Sequence, residues 1–369
     1  MRQIYLAATG MSRGKTTVCL GFLAGCLARG LTTGFLKPVG QRTVIEDGVA
    51  ADEDAVLMRD VFDLSDPIRV MSPVHIPRGF TKAYIGGEIV EDLGARIRAA
   101  HDHLAADHDV LLIEGTGHAG VGAVVGLSNA AVAAMLGAPA IIVSEGGVGR
   151  PIDEIVLNAA LFAQHGVTVA GAIVNKVHVD QQPEIGAILE RGLARHGIPL
   201  LGVLPYRPIL SNPTLGMIRE GLHGETIWRG PDLDRVIDGV AIGAMQPEHM
   251  LERVGPGTLV IVPGDREDVI LALVRSAVLG ERRHGVGLVL TGGYRPRSVI
   301  ADAIRAADLF AMLVQADTYA VASQVHDLLV KTHSSDVEKI SLIKALVAEH
   351  LDVDRILAVA GPARAAHRA

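Results

Sequence analysis

Short apolar runs alternate with amphipathic stretches along the first part of the chain. The runs are Ile4–Ala8, Gly34–Lys37, Val110–Ile113, Ala140–Val143, Val169–Val174 and Leu200–Leu204. Between them lie helical patterns at Thr16–Ala28, Asp54–Val61, Val90–Ala106, Asn129–Leu136, Ile152–Gln164 and Pro183–His196. Runs that are apolar at every position suit strands buried on both faces, and strand–helix alternation predicts a mostly parallel sheet with helices on both faces. Ligand loops then gather at the carboxyl ends of the strands. After Pro205 the pattern changes. Residues 205–229 carry three prolines and several glycines, and predict a linker with one short helix near Leu215–Gly221. A second α/β pattern follows, with strands near Val236–Ile242, Thr258–Val262, Val286–Leu290 and Leu309–Val314. Its helices are Pro247–Arg253, Arg266–Leu279, Ser298–Ala306 and Thr318–Leu328, and a final helix, Asp336–His350, closes the unit. The expected organisation is a nucleotide-binding domain over 1–208, a linker over 209–230, a smaller α/β domain over 231–357 and a flexible Ala/Arg-rich tail over 358–369.

Composition sharpens this picture at three points. Aromatics are only 3% while glycines number 42, which suits helices packed closely on strands. The formal net charge of −7, with no basic run against it, excludes a nucleic-acid partner. No signal-type segment opens the chain and no apolar run is long enough to span a bilayer, so a cytoplasmic protein without a membrane partner is expected. Cys19 and Cys26 fall on one helix face two turns apart, too far to bridge, and are expected to be small core residues.

The strand at Ile4–Ala8 runs into Thr9-Gly10-Met11-Ser12-Arg13-Gly14-Lys15-Thr16-Thr17, and a helix follows. Backbone N–H groups and a helix N-terminus converge on a phosphate in such a loop. Gly14 permits close backbone approach, Lys15 neutralises the β and γ oxygens, and the Thr16 hydroxyl can sit on Mg²⁺. The usual first glycine of the motif is Thr9 here, with Gly10 one place late. Glu114 ends an apolar strand and is followed by Gly115-Thr116-Gly117, which places a carboxylate within reach of that ion. Asp54 closes the Asp52-Glu53-Asp54 cluster at a helix start, where dipole-favoured charge accounts for one or two of the three. Lys37 ends a buried strand, an expensive place for an ammonium unless it faces a pocket, and is read as a second phosphate clamp. Lys15 and Lys37 are the candidate catalytic residues.

These segments resemble dethiobiotin synthetase. The shifted loop Thr9–Thr17, Phe35–Gly40, Asp52–Ala55, Leu111–Gly117, Ala172–Val177 and Gly202–Tyr206 carry the likeness. Gly117–Ile155 is closer to the synthetase-like N-terminal region of long bacterial phosphotransacetylases, and Pro263–Asp268 with Leu290–Gly293 resembles the DRTGG domain that follows it there. The resemblance implies ATP and Mg²⁺ as cofactors. It implies a nucleotide site made by Thr9, Gly10, Arg13, Gly14, Lys15, Thr16 and Thr17, Mg²⁺ ligation by Thr16, Asp54 and Glu114, adenine contact by Asn175 and an adenine wall at Pro205. An amide at position 175 offers both a donor and an acceptor, which suits the adenine edge. The chain ends at Ala369 without the acetyltransferase catalytic domain of the long proteins, so making acetyl phosphate is not an expected activity. No diamino-acid site is recognisable either.

His101, His103 and His108 lie beside aspartates at a helix end and are read as solvated surface. Residues 146–150 form either a tight strand-to-helix turn or a second ligand or partner loop with Arg150 as its anion contact. In the second domain Gly292 and Gly293, with Arg295 and Arg297 nearby, form a candidate second ligand site, because basic side chains at a helix start oppose the dipole unless an anion sits there. The expected protein is an ATP·Mg²⁺-binding, slowly hydrolysing regulator that assembles as a two-fold homo-oligomer. The alternative is an ATP-dependent carboxylate-activating ligase or cyclase that takes a small carboxylate or another metabolite.

Overall fold

The computed structural model describes residues 1–46, 48–280, 285–328 and 330–362. Its contacts divide the chain into two units: Met1–Tyr206 with the stretch from Thr332 onward, and Arg207–Lys331.

In the first unit the apolar runs form β1 (Arg2–Ala8), β2 (Thr33–Leu36), β5 (Val110–Glu114), β6 (Ala140–Glu145), β7 (Val169–Val177) and β8 (Leu200–Pro205), while β3 (Thr43–Glu46) and β4 (Val49–Asp52) make a separate hairpin. The sheet order is β8-β7-β6-β1-β5-β2 and every neighbouring pair is parallel. Residues Ile4–Ala8 and Val110–Ile113 are 0–1% exposed, so both faces of the sheet are covered, as their unbroken apolar runs require. The fold is thus of the P-loop NTPase type, a mostly parallel sheet with helices around it. β1 lies between β5 and β6, and the loop after it opens the helix α1 (Lys15–Leu27) at the carboxyl ends of the central strands.

The hairpin β3–β4 leaves no trace in the apolar runs because its strands are short and only partly buried. It matters because it delivers the start of α2 (Glu53–Phe62) to the site. Asp52 caps that helix, its Oδ1 accepting from the Asp54 amide at 3.1 Å.

The C-terminal segment is arranged differently from the sequence expectation. The helix α3 (Val337–His350) covers the first unit, not the second. Gly21 on α1 makes room for it, since a Cβ there would lie 2.2 Å from the Val347 side chain. Residues of the expected tail are also ordered: α4 (Val353–Val359) buries Val353, Ile356 and Leu357, and Gly361–Pro362 pairs antiparallel with Gln3 and Arg2 of β1. The remainder of that tail, 363–369, lies outside the described residues. An amphipathic helix carries no mark of which sheet it covers, and here burial of Ile340, Ile343, Leu346 and Val347 against α1 and β8 decides it.

The second unit has a five-stranded sheet of β9 (Glu225–Trp228), β10 (Gly239–Ile242), β11 (Thr258–Pro263), β12 (Gly287–Thr291) and β13 (Phe310–Leu313), in the order β9-β13-β12-β11-β10. Only β9 is antiparallel to its neighbour. The segment expected to be a linker is instead an integral part of this unit. Leu215, Ile218 and Leu222 enter its core, and β9 closes one sheet edge.

Two of the three histidines read as surface are not. His101 is 3% exposed with Nε2 2.7 Å from Gln3 Oε1, and His108 Nε2 lies 2.9 Å from Asp66 Oδ2. Both cysteines are buried and free. Among the described residues no helix is long and apolar enough to cross a membrane.

Candidate functional site

The loop from Thr9 to Gly14 turns back over the end of β1. Thr9 N–H donates to Val143 O at 2.9 Å, and its hydroxyl lies 3.1 Å from Ser144 Oγ, which ties the loop to β6. Gly14 has φ +93°, and a Cβ there would come within 1.9 Å of Asn175 Nδ2, so this position is closed to any side chain on two counts. Lys15 and Thr16 then begin α1, and Lys15 is 8% exposed. Burial pushes the Lys15 pKa below the usual lysine value, and the like charge of Lys37 adds to the effect.

Residues distant in sequence meet at this helix start. Thr16 Oγ1 is 3.3 Å from Asp54 Oδ1 and 3.3 Å from Glu114 Oε1. Lys37 Nζ is 2.5 Å from Asp54 Oδ2, 3.0 Å from Glu114 Oε1 and 4.0 Å from Asp52 Oδ1. Lys37 was expected to face a phosphate; in this structure its ammonium faces carboxylates. Burial alone would lower its pKa, but Asp54, Glu114 and Asp52 outweigh burial and hold it well above the usual value. Glu114 is 1% exposed, and burial raises its pKa although Lys37 works against the rise. Asp54 feels the same desolvation, yet Lys37 and Lys15 bring its pKa below the usual value.

The chemistry fits a hard divalent cation. Two ammoniums (Lys15, Lys37) against three carboxylates (Asp52, Asp54, Glu114) leave one formal negative charge. Glu114 Oε2 is buried and has no hydrogen-bond partner, the kind of group that a metal or its water satisfies. No cluster of three or more His, Cys, Asp or Glu able to hold a metal alone occurs among the described residues. Two carboxylates and one hydroxyl leave room for phosphate and water, as Mg²⁺ prefers.

The other candidates fall into two groups. Asn175 lies against the loop: its Nδ2 donates to Arg13 O at 3.2 Å and its Oδ1 accepts from Lys176 N–H at 2.8 Å. An amide has two donors and two lone pairs, so one N–H and one lone pair remain. Pro205 is buried at the end of β8, in register with Val177. Thr17 is half-buried on α1, and Gly10 lies beside the Arg13 guanidinium. The proposed second site is not brought together. Gly292 and Gly293 donate their N–H groups to Ala316 O and Val314 O, both at 2.9 Å, so these amides already have carbonyl partners. Arg295 pairs with Glu225 and Arg297 with Glu267, which supplies the counter-charge an anion was invoked to provide.

Residues that the sequence patterns did not single out complete the site. Glu145 at the tip of β6 pairs with Arg13, and Lys176 Nζ lies 3.4 Å from it while donating to Ser12 O at 2.8 Å. Ser12 and Lys176 are both left-handed, at φ 56° and 58°, unusual for non-glycine residues. Asn129 holds the turn after Glu114: its Oδ1 accepts from Tyr5 Oη and Thr116 N–H, and its Nδ2 donates to Thr116 O and His118 O. The buried asparagine opening a helix was the available signal.

A glycine turn feeding lysine and threonine into a helix, with one carboxylate at a strand end and a second at the start of α2, defines a P-loop protein of the mostly parallel α/β class. Residues 2–214 match the family described as AAA domain, more than half of the chain, and residues 217–328 match the DRTGG domain. The chain therefore belongs to that P-loop family. It carries a dethiobiotin synthetase-like P-loop domain followed by a DRTGG domain, as in the N-terminal part of long phosphotransacetylases. It is 29% identical to a phosphate acetyltransferase of Pseudomonas putida over 95% of this chain and 51% of that one. It is 27% identical to a phosphate acetyltransferase of Nitratidesulfovibrio vulgaris over 95% and 50%. The chain spans about half the length of the curated relatives it matches. Among solved structures it is similar to the septum site-determining protein MinD of Pyrococcus horikoshii complexed with Mg-ADP, at 17% identity and TM-score 0.38, covering 57% of this chain and 83% of that one.

Proposed function

We propose that the first unit binds ATP with Mg²⁺ and hydrolyses it slowly in a regulatory role. The observation that carries this is the convergence of Thr16 with Asp54 and Glu114, each at 3.3 Å, directly behind a glycine loop and a buried lysine. Thr16, Asp54 and Glu114 would hold the ion, and the ion when bound neutralises charge on the β and γ phosphates. The loop amides and the start of α1 orient the phosphates, Lys15 supplies a fixed positive charge, and burial of the strand tips keeps water from screening it. Asn175, tethered to the loop, turns its remaining donor and acceptor to adenine. Cytoplasmic location and dimeric assembly are part of this proposal.

The test is nucleotide hydrolysis measured alone and with a panel of small carboxylates and amines. Slow hydrolysis indifferent to the panel supports a regulator. A carboxylate that raises turnover far above the basal rate replaces it with a carboxylate-activating ligase. Failure to bind any nucleoside triphosphate removes both.

Two substitutions probe individual roles. Glu114→Gln is expected to spare most nucleotide affinity while weakening the dependence on Mg²⁺ by about tenfold or more, since one anionic ligand is lost. Titrations with and without Mg²⁺ that match wild type would place Glu114 away from the ion. Asn175→Ala is expected to cut discrimination between ATP and GTP by about 1–3 kcal/mol, the cost of an unpaired base edge. If the variant still excludes GTP as strongly as wild type in competition assays, the base is read elsewhere.

A further inference from the structure

We propose that Lys37 is a tethered cation of the nucleotide-free site: its ammonium bridges the two carboxylates that would hold the divalent ion, and nucleotide must draw it away before the ion can bind. This rests on the metal site proposed above and adds an exchange step to it.

The geometry is specific to this pair of acids. Asp54 uses Oδ2 for Lys37, at 2.5 Å, and Oδ1 for Thr16, at 3.3 Å. Glu114 Oε1 is shared between Lys37 at 3.0 Å and Thr16 at 3.3 Å, while Oε2 has no partner. The ammonium therefore lies across the same carboxylates as the candidate ion, and Thr16 contacts both acids as well. A divalent ion held by those carboxylates would repel a neighbouring ammonium strongly in a buried setting. Both cations cannot keep those contacts.

The exchange needs little backbone movement. Lys37 N–H donates to Met71 O at 2.7 Å, and Pro38 follows, so the main chain is pinned on both sides of the residue. The move falls to rotations of the four-carbon stem, and an ammonium carries its charge to any acceptor it can reach. Phosphate oxygens of an incoming nucleotide offer the new partner. Without them Lys37 would be left buried and unpaired, a costly state. The ion alone is thus opposed and the ion with nucleotide is favoured, which is a coupling free energy between two ligands of one site. The expectation that Lys37 clamps phosphate then describes its second position, and the contacts seen here its first.

The exchange is tested on the full chain with Mn²⁺ as the probe, free ion being counted by electron paramagnetic resonance with no nucleotide present. Wild type is expected to bind Mn²⁺ weakly. Lys37→Met, which keeps the stem without the charge, is expected to bind it at least about tenfold more tightly, to unfold at lower temperature than wild type without the ion, and to recover when Mn²⁺ is added. Lys37→Met combined with Asp54→Asn, which restores the charge balance, should lose the tighter binding. Equal Mn²⁺ affinity of wild type and Lys37→Met would overturn the proposal, as would tighter binding that survives in the double variant. Should Lys37→Met not fold even with Mn²⁺, wild type decides the matter. Inorganic tripolyphosphate should then tighten Mn²⁺ binding beyond its own chelation by about tenfold, and no such coupling would overturn the exchange. The Lys37→Met arm needs no nucleotide, so it can succeed or fail independently of whether ATP is the ligand.

Discussion

Replacing Lys15 with alanine is expected to lower affinity for ATP by about tenfold or more while leaving the fold intact. Lys15 is 8% exposed at the first position of α1, where loop amides and the helix start already favour an anion. Its side chain forms no ion pair within 4.0 Å among the described residues, whereas Lys37 makes three. Burial and the like charge of Lys37 both act against its protonated form. The nucleotide-free protein gives up no direct ion pair when the charge goes, so most of the cost falls on the bound state. Calorimetry gives the affinity, and circular dichroism with thermal unfolding confirms the fold. A folded variant that binds ATP as wild type does would end the phosphate assignment of this loop.

A chain truncated after Tyr206 is expected not to form the first unit, even though it contains every strand of the parallel sheet and all residues of the candidate site. The stretch from Val337 to Leu357 places Ile340, Ile343, Leu346, Val347, Leu351, Val353, Ile356 and Leu357 against α1 and the sheet, each no more than 7% exposed. At about 1.5–3 kcal/mol per buried aliphatic side chain, before the entropy of ordering them is subtracted, this burial is as large as the net stability of an ordinary domain. Truncation would also expose the strip of α1 around Gly21 that closes on Val347. Loss of the cooperative thermal transition, or aggregation on expression, is the expected outcome. A soluble 1–206 fragment that melts cooperatively near wild type would show α3 and α4 to be accessory.

The candidate site was legible wherever its chemistry is local in sequence. The run from Thr9 to Thr17 fixes a turn and a helix start within one stretch of backbone, so spacing alone points to phosphate. Glu114 was legible because a carboxylate ending an apolar strand must face something polar. Lys37 was legible as a residue that needs a partner, but not as to which. The cost of burying an ammonium is visible in the sequence, whereas Asp54 and Glu114 reach it through a hairpin and a strand crossing that no local pattern specifies. Glu145 and Lys176 carry no local signal for the same reason: each is an ordinary charged residue at a strand end until the sheet order sets it beside Arg13 and Ser12. The arginines of the second unit misled in the opposite direction. Their missing anion is Glu225 and Glu267, and the latter lies 30 residues away.

What the sequence by itself determined is the alternation of buried strands with helices, the phosphate loop and the acidic strand tip, because periodicity, glycine spacing and desolvation cost all act over a few neighbouring residues. The tertiary structure alone decided which sheet the last two helices cover and which charges face one another at the site. An amphipathic helix buries its apolar stripe equally well on any matching surface, and a charge is neutralised by whichever partner the fold brings within about 4 Å. Here Gly21 and Gly202 leave the room that draws Val347 and Leu351 to the first unit, while the pairing of β2 with β5 and the β3–β4 hairpin together set Lys37 between Glu114 and Asp54.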